Sequence, residues 1–112
     1  MFKRGGIYQV NLGHKGEASA DICHCLVVSN NISNEFSPVV TIIPLEFTHL
    51  DRIYDFETLL PANQTGLAQN AKISSHILIT IDKTTVVSDR LGFVGKTLMA
   101  KVNKALRFQL DL

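Results

Sequence analysis

Apolar residues between positions 5 and 87 come in short runs set apart by Gly, Asn, Ser and Pro, and only the final segment carries a helical period. That pattern narrows the fold. Parallel strands need a connection long enough for a crossover helix, and none stands between the first apolar runs, so a parallel α/β sheet is disfavoured. Several short strands closed by one helix describe a small barrel, mainly β, in the α+β class. A chain of 112 residues suits a single domain spanning residues 1–112 and can enclose a core without staples.

The runs give an order of elements. "GGIYQVNL" (5–12) is a strand whose period of two puts Tyr8, Val10 and Leu12 on one face and Ile7 on the other. "GHKGEASAD" (13–21) is loop, and "ICHCLVVS" (22–29) is a second strand. "NNISNEFSP" (30–38) is turn-rich, and "VVTIIPL" (39–45) is a central strand ending near Pro44. "EFTHLDRIYD" (46–55) can hold a helical turn, "FETLLP" (56–61) suits a strand and "ANQTGLAQNA" (62–71) is loop-like. "KISSHILITID" (72–82) is expected as one strand and "TTVV" (84–87) as a short one. The last segment is a helix from Thr97, with Leu98, Val102, Ala105, Leu106 and Gln109 on one arc, widened by Met99 and Leu110. Lys96, Lys101, Lys104 and Arg107 fall on its opposite side, as a solvated stripe or a surface for a partner.

Composition excludes several classes. Hydrophobic content of 46% with 19% charged residues fits a globular chain, not a disordered one. No apolar run reaches the roughly 18–20 residues that a membrane helix needs. The start, "MFKRGGIYQV", has no apolar stretch or cleavage site of a signal peptide. The two cysteines sit at i and i+2, where a bridge would be strained, so a reducing cytoplasm is expected. The net charge of +1 announces no global polyanion binder, although basic residues cluster from Lys83 to Leu110.

Four stretches carry candidate chemistry. "GFVGKT" (92–97) lacks the first glycine of a phosphate loop, because Arg90 stands there, so it is a turn into the last helix. Cys23-His24-Cys25 puts two thiols on one side of a strand and an imidazole on the other, so one metal ion cannot take all three; no metal site and no cofactor are expected. His76 lies where its strand turns from polar to apolar, as a hydrogen-bonded edge histidine or an acid–base group. His14 and Lys15 form either a plain hairpin tip or a loop that covers a phosphodiester, for which Lys is a useful point charge.

Taken together, the chain resembles the MazF/PemK (Kid) toxins. "RGGIYQVNL" (4–12) is similar to their "RGD-[VI]-Y…L" opening, and "CLVVSNNISNEFSPVVTIIPL" (25–45) to their "VLVIQND…N-x-FSPT…VAAIT". "SHILITIDKTTV" (75–86) resembles "QIRTIDK-x-RL", and "KTLMAKVNKALRFQL" (96–110) their "M-x-K-V-x-x-AL" helix. "TIIPLEFTHL" is also like the "VIPL" strand of the related CcdB toxins.

The resemblance implies an SH3-like small barrel of the MazF/PemK/CcdB type with a C-terminal helix, assembled as a homodimer. It implies the toxin-like component of a toxin–antitoxin system, a metal-independent endoribonuclease on single-stranded RNA. A cognate antitoxin would cover it with a disordered acidic tail. The alternative is a non-cleaving toxin-fold protein that binds nucleic acid or inhibits a protein target such as DNA gyrase. The family's catalytic Arg falls on Cys23, the Pro after it on His24 and the catalytic Thr on Glu46. The Kid-type Arg and Asp fall on Ser74 and His76, and a further Arg on Ile79. His24, Glu46, Cys23 and His76 are therefore the candidate catalytic residues of a remodelled site, and His14, Lys15 and Ser74 the candidate RNA-binding ones. A thiol cannot supply a fixed bidentate cation, so either His24 and Glu46 pair as base and acid with Lys15 or His14 as electrophile, or the chain is a non-cleaving member that keeps the fold for binding.

Overall fold

The computed structural model describes residues 2–13 and 21–112; His14 and Lys15 lie outside the described residues. β1 (Gly6–Asn11), β2 (Ile22–Val27) and β3 (Val39–Glu46) form an antiparallel meander, with Tyr8 opposite Cys25 and Cys25 opposite Pro44. The free edge of β3 is shared by two strands. Its first half pairs with β6 (Ile79–Asp82), from Val39↔Asp82 to Ile42↔Ile79, and its end pairs with β5 (Ala71–Ser74) at Leu45↔Ile73 and Glu46↔Lys72. Pro44, which has no N–H to give, sits where that edge changes partners. The strand therefore runs two residues past Pro44. β4 (Glu57–Leu60) pairs with β5 as the outermost strand, and β7 (Gly92–Phe93) pairs with the far edge of β1.

Several local expectations change. "KISSHILITID" is two strands, broken at residues 75–78. Ser75 N–H donates to Phe56 O at 2.7 Å and Ile77 N–H to Ser74 O at 2.9 Å, which turns the chain from one half of β3 to the other. The turn-rich 30–38 stretch holds α1 (Asn31–Phe36), whose cap is the Asn30 side chain accepting from Ser33 N–H at 2.8 Å. The 62–71 stretch opens with α2 (Ala62–Thr65), ended by Gly66 in the left-handed region. "TTVV" is not a strand. Asp82 caps a 3₁₀ turn, Lys83–Thr85, and only Val86 bridges back, to Val10. No helical turn forms over residues 46–55; the chain turns there with His49 at φ 57°.

Strand parity sorts the interior into two layers, as the alternation of β1 demands. Ile7, Leu26, Ile43, Leu45 and Ile73 face one side, where they meet Leu98, Met99 and Val102 of α3 (Lys96–Leu110). Tyr8, Val10, Cys25, Val27, Val40, Ile42 and Ile81 form the second cluster, with Leu12 and Cys23 packed against it. Each fully buried aliphatic side chain contributes about 1.5–3 kcal/mol relative to exposure. α3 starts one residue before Thr97 and buries Leu98, Met99, Val102 and Ala105, while Gln109 and Leu110 are exposed although the period puts them on the apolar arc. The last turn projects beyond the core.

Two glycines fix close approaches. Gly5 has φ +95°, and a Cβ there would lie 2.7 Å from Val94 O. A Cβ on Gly92 would lie 2.6 Å from Thr65 O, so α2 and β7 close the gap between the outer strands only with glycine at that point. Arg4 ties the N-terminus to the last helix, donating from Nε to Val28 O at 2.7 Å and from Nη2 to Asn103 Oδ1 at 2.6 Å. Among the described residues, no helix is long and apolar enough to cross a membrane.

Candidate active site

The register places the candidate residues. Cys23 has the parity of Cys25, Val27 and the second cluster, and its thiol lies 3.7 Å from Asp21 Oδ1. Burial pushes the Cys23 thiol up, and the charge and hydrogen bond of Asp21 add to this; burial, with the neighbouring Cys23, pushes Cys25 up to about 12. Both thiols are free. Neither is activated as a nucleophile, since the attacking form is the thiolate. His24 points to the opposite side of the strand, edge-on to Phe47 with ring centroids 5.5 Å apart, and Phe47 packs on the cluster beneath α3.

Glu46 ends β3 on the parity of Val40 and Ile42. The pairing of β2 with β3 ends at Cys25↔Pro44, and Cys23 and Glu46 each lie two residues beyond that pair, on its parity. Glu46 and His24 therefore stand on opposite faces, and the expected acid–base pair between them does not form. The partner of Glu46 is His49, whose Nδ1 is 2.9 Å from Glu46 Oε1 and 3.1 Å from Thr48 Oγ1. The left-handed backbone at His49 brings the ring back onto the carboxylate three residues before it.

Across the ladder from Glu46 stands Lys72, and beyond it a buried ionic network. Lys72 Nζ is 3.0 Å from Glu57 Oε2, with both side chains only 6% exposed. Ser74 Oγ donates to the same carboxylate at 2.9 Å, and Tyr54 N–H donates to Glu57 Oε1 at 3.0 Å. Burial pushes the Glu57 carboxyl up, but the Tyr54 N–H, the Lys72 ammonium and the Ser74 hydroxyl outweigh it and hold the group below the usual carboxylate range. Lys72 Nζ also reaches Arg52 O at 3.4 Å. His76, exposed in the turn after β5, stands edge-on to Phe56 at 4.8 Å. Ser74 is thus buried and committed to Glu57, while His76 remains open to solvent.

The family model described as "PemK-like, MazF-like toxin of type II toxin-antitoxin system" matches residues 3–110. The chain belongs to that family. It is 29% identical over 118 residues to endoribonuclease MazF9 of Mycobacterium tuberculosis, covering 100% of this chain and 98% of that protein. It is 26% identical over 113 residues to endoribonuclease EndoA of Bacillus subtilis, covering 100% and 97%. Among solved structures, a mycobacterial endoribonuclease in complex with its cognate antitoxin superposes with a TM-score of 0.78 at 26% identity, covering 100% of this chain and 97% of that one. A MazE–MazF complex from Deinococcus radiodurans gives 0.78 at 19% identity over 99% and 97%, a likeness of fold. The small α+β fold, mostly β with a C-terminal helix, is thus the MazF type.

On this toxin scaffold, the positions that the resemblance assigns to the catalytic Arg and Thr hold Cys23 and Glu46, which share one face of the sheet by strand parity. Three neighbouring groups were missed from sequence. Lys72 and Glu57 lie in two separate expected strands with no motif to join them, although Lys72 shares strand parity with Ser74. His49 carries no sequence signal of its contact, because the left-handed turn that returns it to Glu46 has no glycine to announce it.

Proposed function

We propose that this toxin is an endoribonuclease that cleaves single-stranded RNA without a metal ion, through a site rebuilt around Glu46 and His49. The 2.9 Å contact between them carries the reading, because it supplies an oriented imidazole on the face where the family resemblance puts the chemistry. With Nδ1–H donated to the carboxylate, Nε2 is the free acceptor. It takes the proton of a ribose 2′-OH as that oxygen bonds to phosphorus. The bond from phosphorus to the 5′-oxygen breaks, and His76 in its protonated form gives the leaving oxygen its proton. The products are a 2′,3′-cyclic phosphate and a free 5′-hydroxyl. Cys23, on the parity of this face, stays a neutral thiol, and Lys72 offsets the negative charge of Glu57.

The names of the curated relatives as endoribonucleases support the substrate class. The structure of a relative in complex with its cognate antitoxin supports an antitoxin partner; that this partner has a disordered acidic tail and acts on a homodimer in the cytoplasm is part of the same proposal. Purified, antitoxin-free protein incubated with single-stranded RNAs of varied sequence in the presence of EDTA tests the reading. Fragments ending in 2′,3′-cyclic phosphate are expected. Intact RNA across all sequences, with the protein folded, rejects it, and binding of RNA or gyrase without cleavage assigns the fold to the non-cleaving class.

A further inference from the structure

Residues 52–56 carry a column of stacked groups. The Arg52 guanidinium carbon lies 4.7 Å from the centre of the Tyr54 ring. Tyr54 stacks on Phe56 with centroids 5.4 Å apart and planes 2° from parallel, and Phe56 meets His76 edge-on. The column is exposed at its outer end, where Tyr54 is 46% accessible. Surface aromatics on a turn outside regular structure normally lose little by scattering, so an ordered column needs a cause. The cause is the buried network: Glu57 Oε1 accepts from Tyr54 N–H, Glu57 N–H donates to Tyr54 O at 2.8 Å, and Lys72 holds Arg52 O. The ion pair thus sets an exposed aromatic stack beside the candidate site.

Tyr54 also lines a groove of about 690 Å³ between β4 and α3, whose helical wall bears Lys101 and Lys104. We propose that Tyr54, backed by Phe56, is a stacking platform for one nucleobase flanking the scissile phosphodiester, and that Lys101 and Lys104 take the phosphates beyond it. Exposed Arg52 now covers the ring face that a base would use, and it can swing off that face to pair with a phosphate. An aromatic face beside a cationic groove is how single strands are held without demanding a sequence. The charges agree: Asp55 opposes a polyanion in the groove, but Glu57 is offset by Lys72, which leaves Arg52, Lys101 and Lys104 in excess. An extended peptide fits less well, because the outer edge of β4 is four residues long and stopped by Pro61.

This proposal rests on RNA being the substrate, so its test uses binding and not cleavage. A fluorescein-labelled 2′-O-methyl oligonucleotide, which cannot be cut, is titrated with protein and followed by anisotropy. Tyr54→Ala is expected to weaken binding about 5- to 150-fold, and Tyr54→Phe to leave it nearly unchanged. Lys101→Ala and Lys104→Ala are each expected to reduce the salt slope by about 0.7. Equal binding by wild type and Tyr54→Ala, both folded by circular dichroism, overturns the platform and leaves the RNA reading standing. No binding by the wild type overturns both. If Tyr54→Ala loses binding of an acidic peptide but keeps the oligonucleotide, the groove belongs to a protein partner and the proposal fails.

Discussion

Replacing Lys72 with Met isolates the buried ion pair. In the native protein its ammonium sits 3.0 Å from Glu57, and at an effective dielectric of about 20 the bare attraction is about 5 kcal/mol. Much of that repays the desolvation of two charges. Removing Lys72 leaves a carboxylate 6% exposed with two remaining donors, Ser74 Oγ and Tyr54 N–H. Those donors keep the cost near the lower end of what a broken buried pair loses, about 3 kcal/mol. Adding Glu57→Gln removes the stranded charge, so the double variant recovers at least about 1 kcal/mol of the summed single losses.

Urea unfolding at fixed protein concentration, from about pH 7 down to pH 4, measures both effects. Because the folded Glu57 lies below the ordinary carboxylate range, its contribution is complete above the unfolded value of about 4.3 and fades as the pH drops through the folded one. In Lys72→Met the carboxyl no longer has that support and protonates more readily. The gap between wild type and variant therefore narrows toward acid. A loss below about 1 kcal/mol at neutral pH, with no narrowing, would show that water screens the pair and would refute the reasoning.

Glu46→Gln and His49→Asn should each slow RNA cleavage by about 10²-fold or more, with a smaller combined effect than the product of the two if they act as one unit, as single-turnover rates will show. Raising salt should increase KM far more than it lowers kcat, because the proposed roles of Arg52, Lys101 and Lys104 are in binding the strand and not in the bond that breaks. Leu26→Ala, at a fully buried position where β2 meets the core beneath α3, should cost about 2–5 kcal/mol in denaturant unfolding. Thiol labelling near neutral pH should be slow at Cys23 and absent at Cys25 until the protein unfolds, since burial raises both groups and Cys25 to about 12.

The meander, the two faces of β1 and the last helix were legible because each rests on a period that packing enforces. Tyr8 and Val10 part from Ile7 in the sequence as they do in space. The break in 72–82 was not legible. Its apolar run crosses a turn without Gly or Pro, and only the sharing of one β3 edge between β5 and β6 requires the chain to bend there. The same limit governed the site. Parity correctly separated Cys23 from His24, but it gave no distance between Glu46 and His49, which depends on a single left-handed residue. Lys72 and Glu57 meet through the register of β4 on β5, which the sequence does not set, so no spacing could join them.

The proposed site meets an electrostatic objection that the sequence raises against RNA. Losing a guanidinium at Cys23 and gaining a carboxylate at Glu46 should repel a phosphodiester. In the fold, however, neither acid of this face stands alone, since Glu46 is held by His49 and Glu57 by Lys72. With His49 neutral, as its role as base requires, the centre keeps the single negative charge of Glu46, which suits proton transfer more than anion capture. The unbalanced positive charge lies outward, at Arg52 and on the exposed side of α3. Attraction and chemistry are thereby divided between neighbouring regions, and the buried pair that offsets Glu57 beside the chemistry also fixes the loop that carries Arg52, a cation of the attracting region.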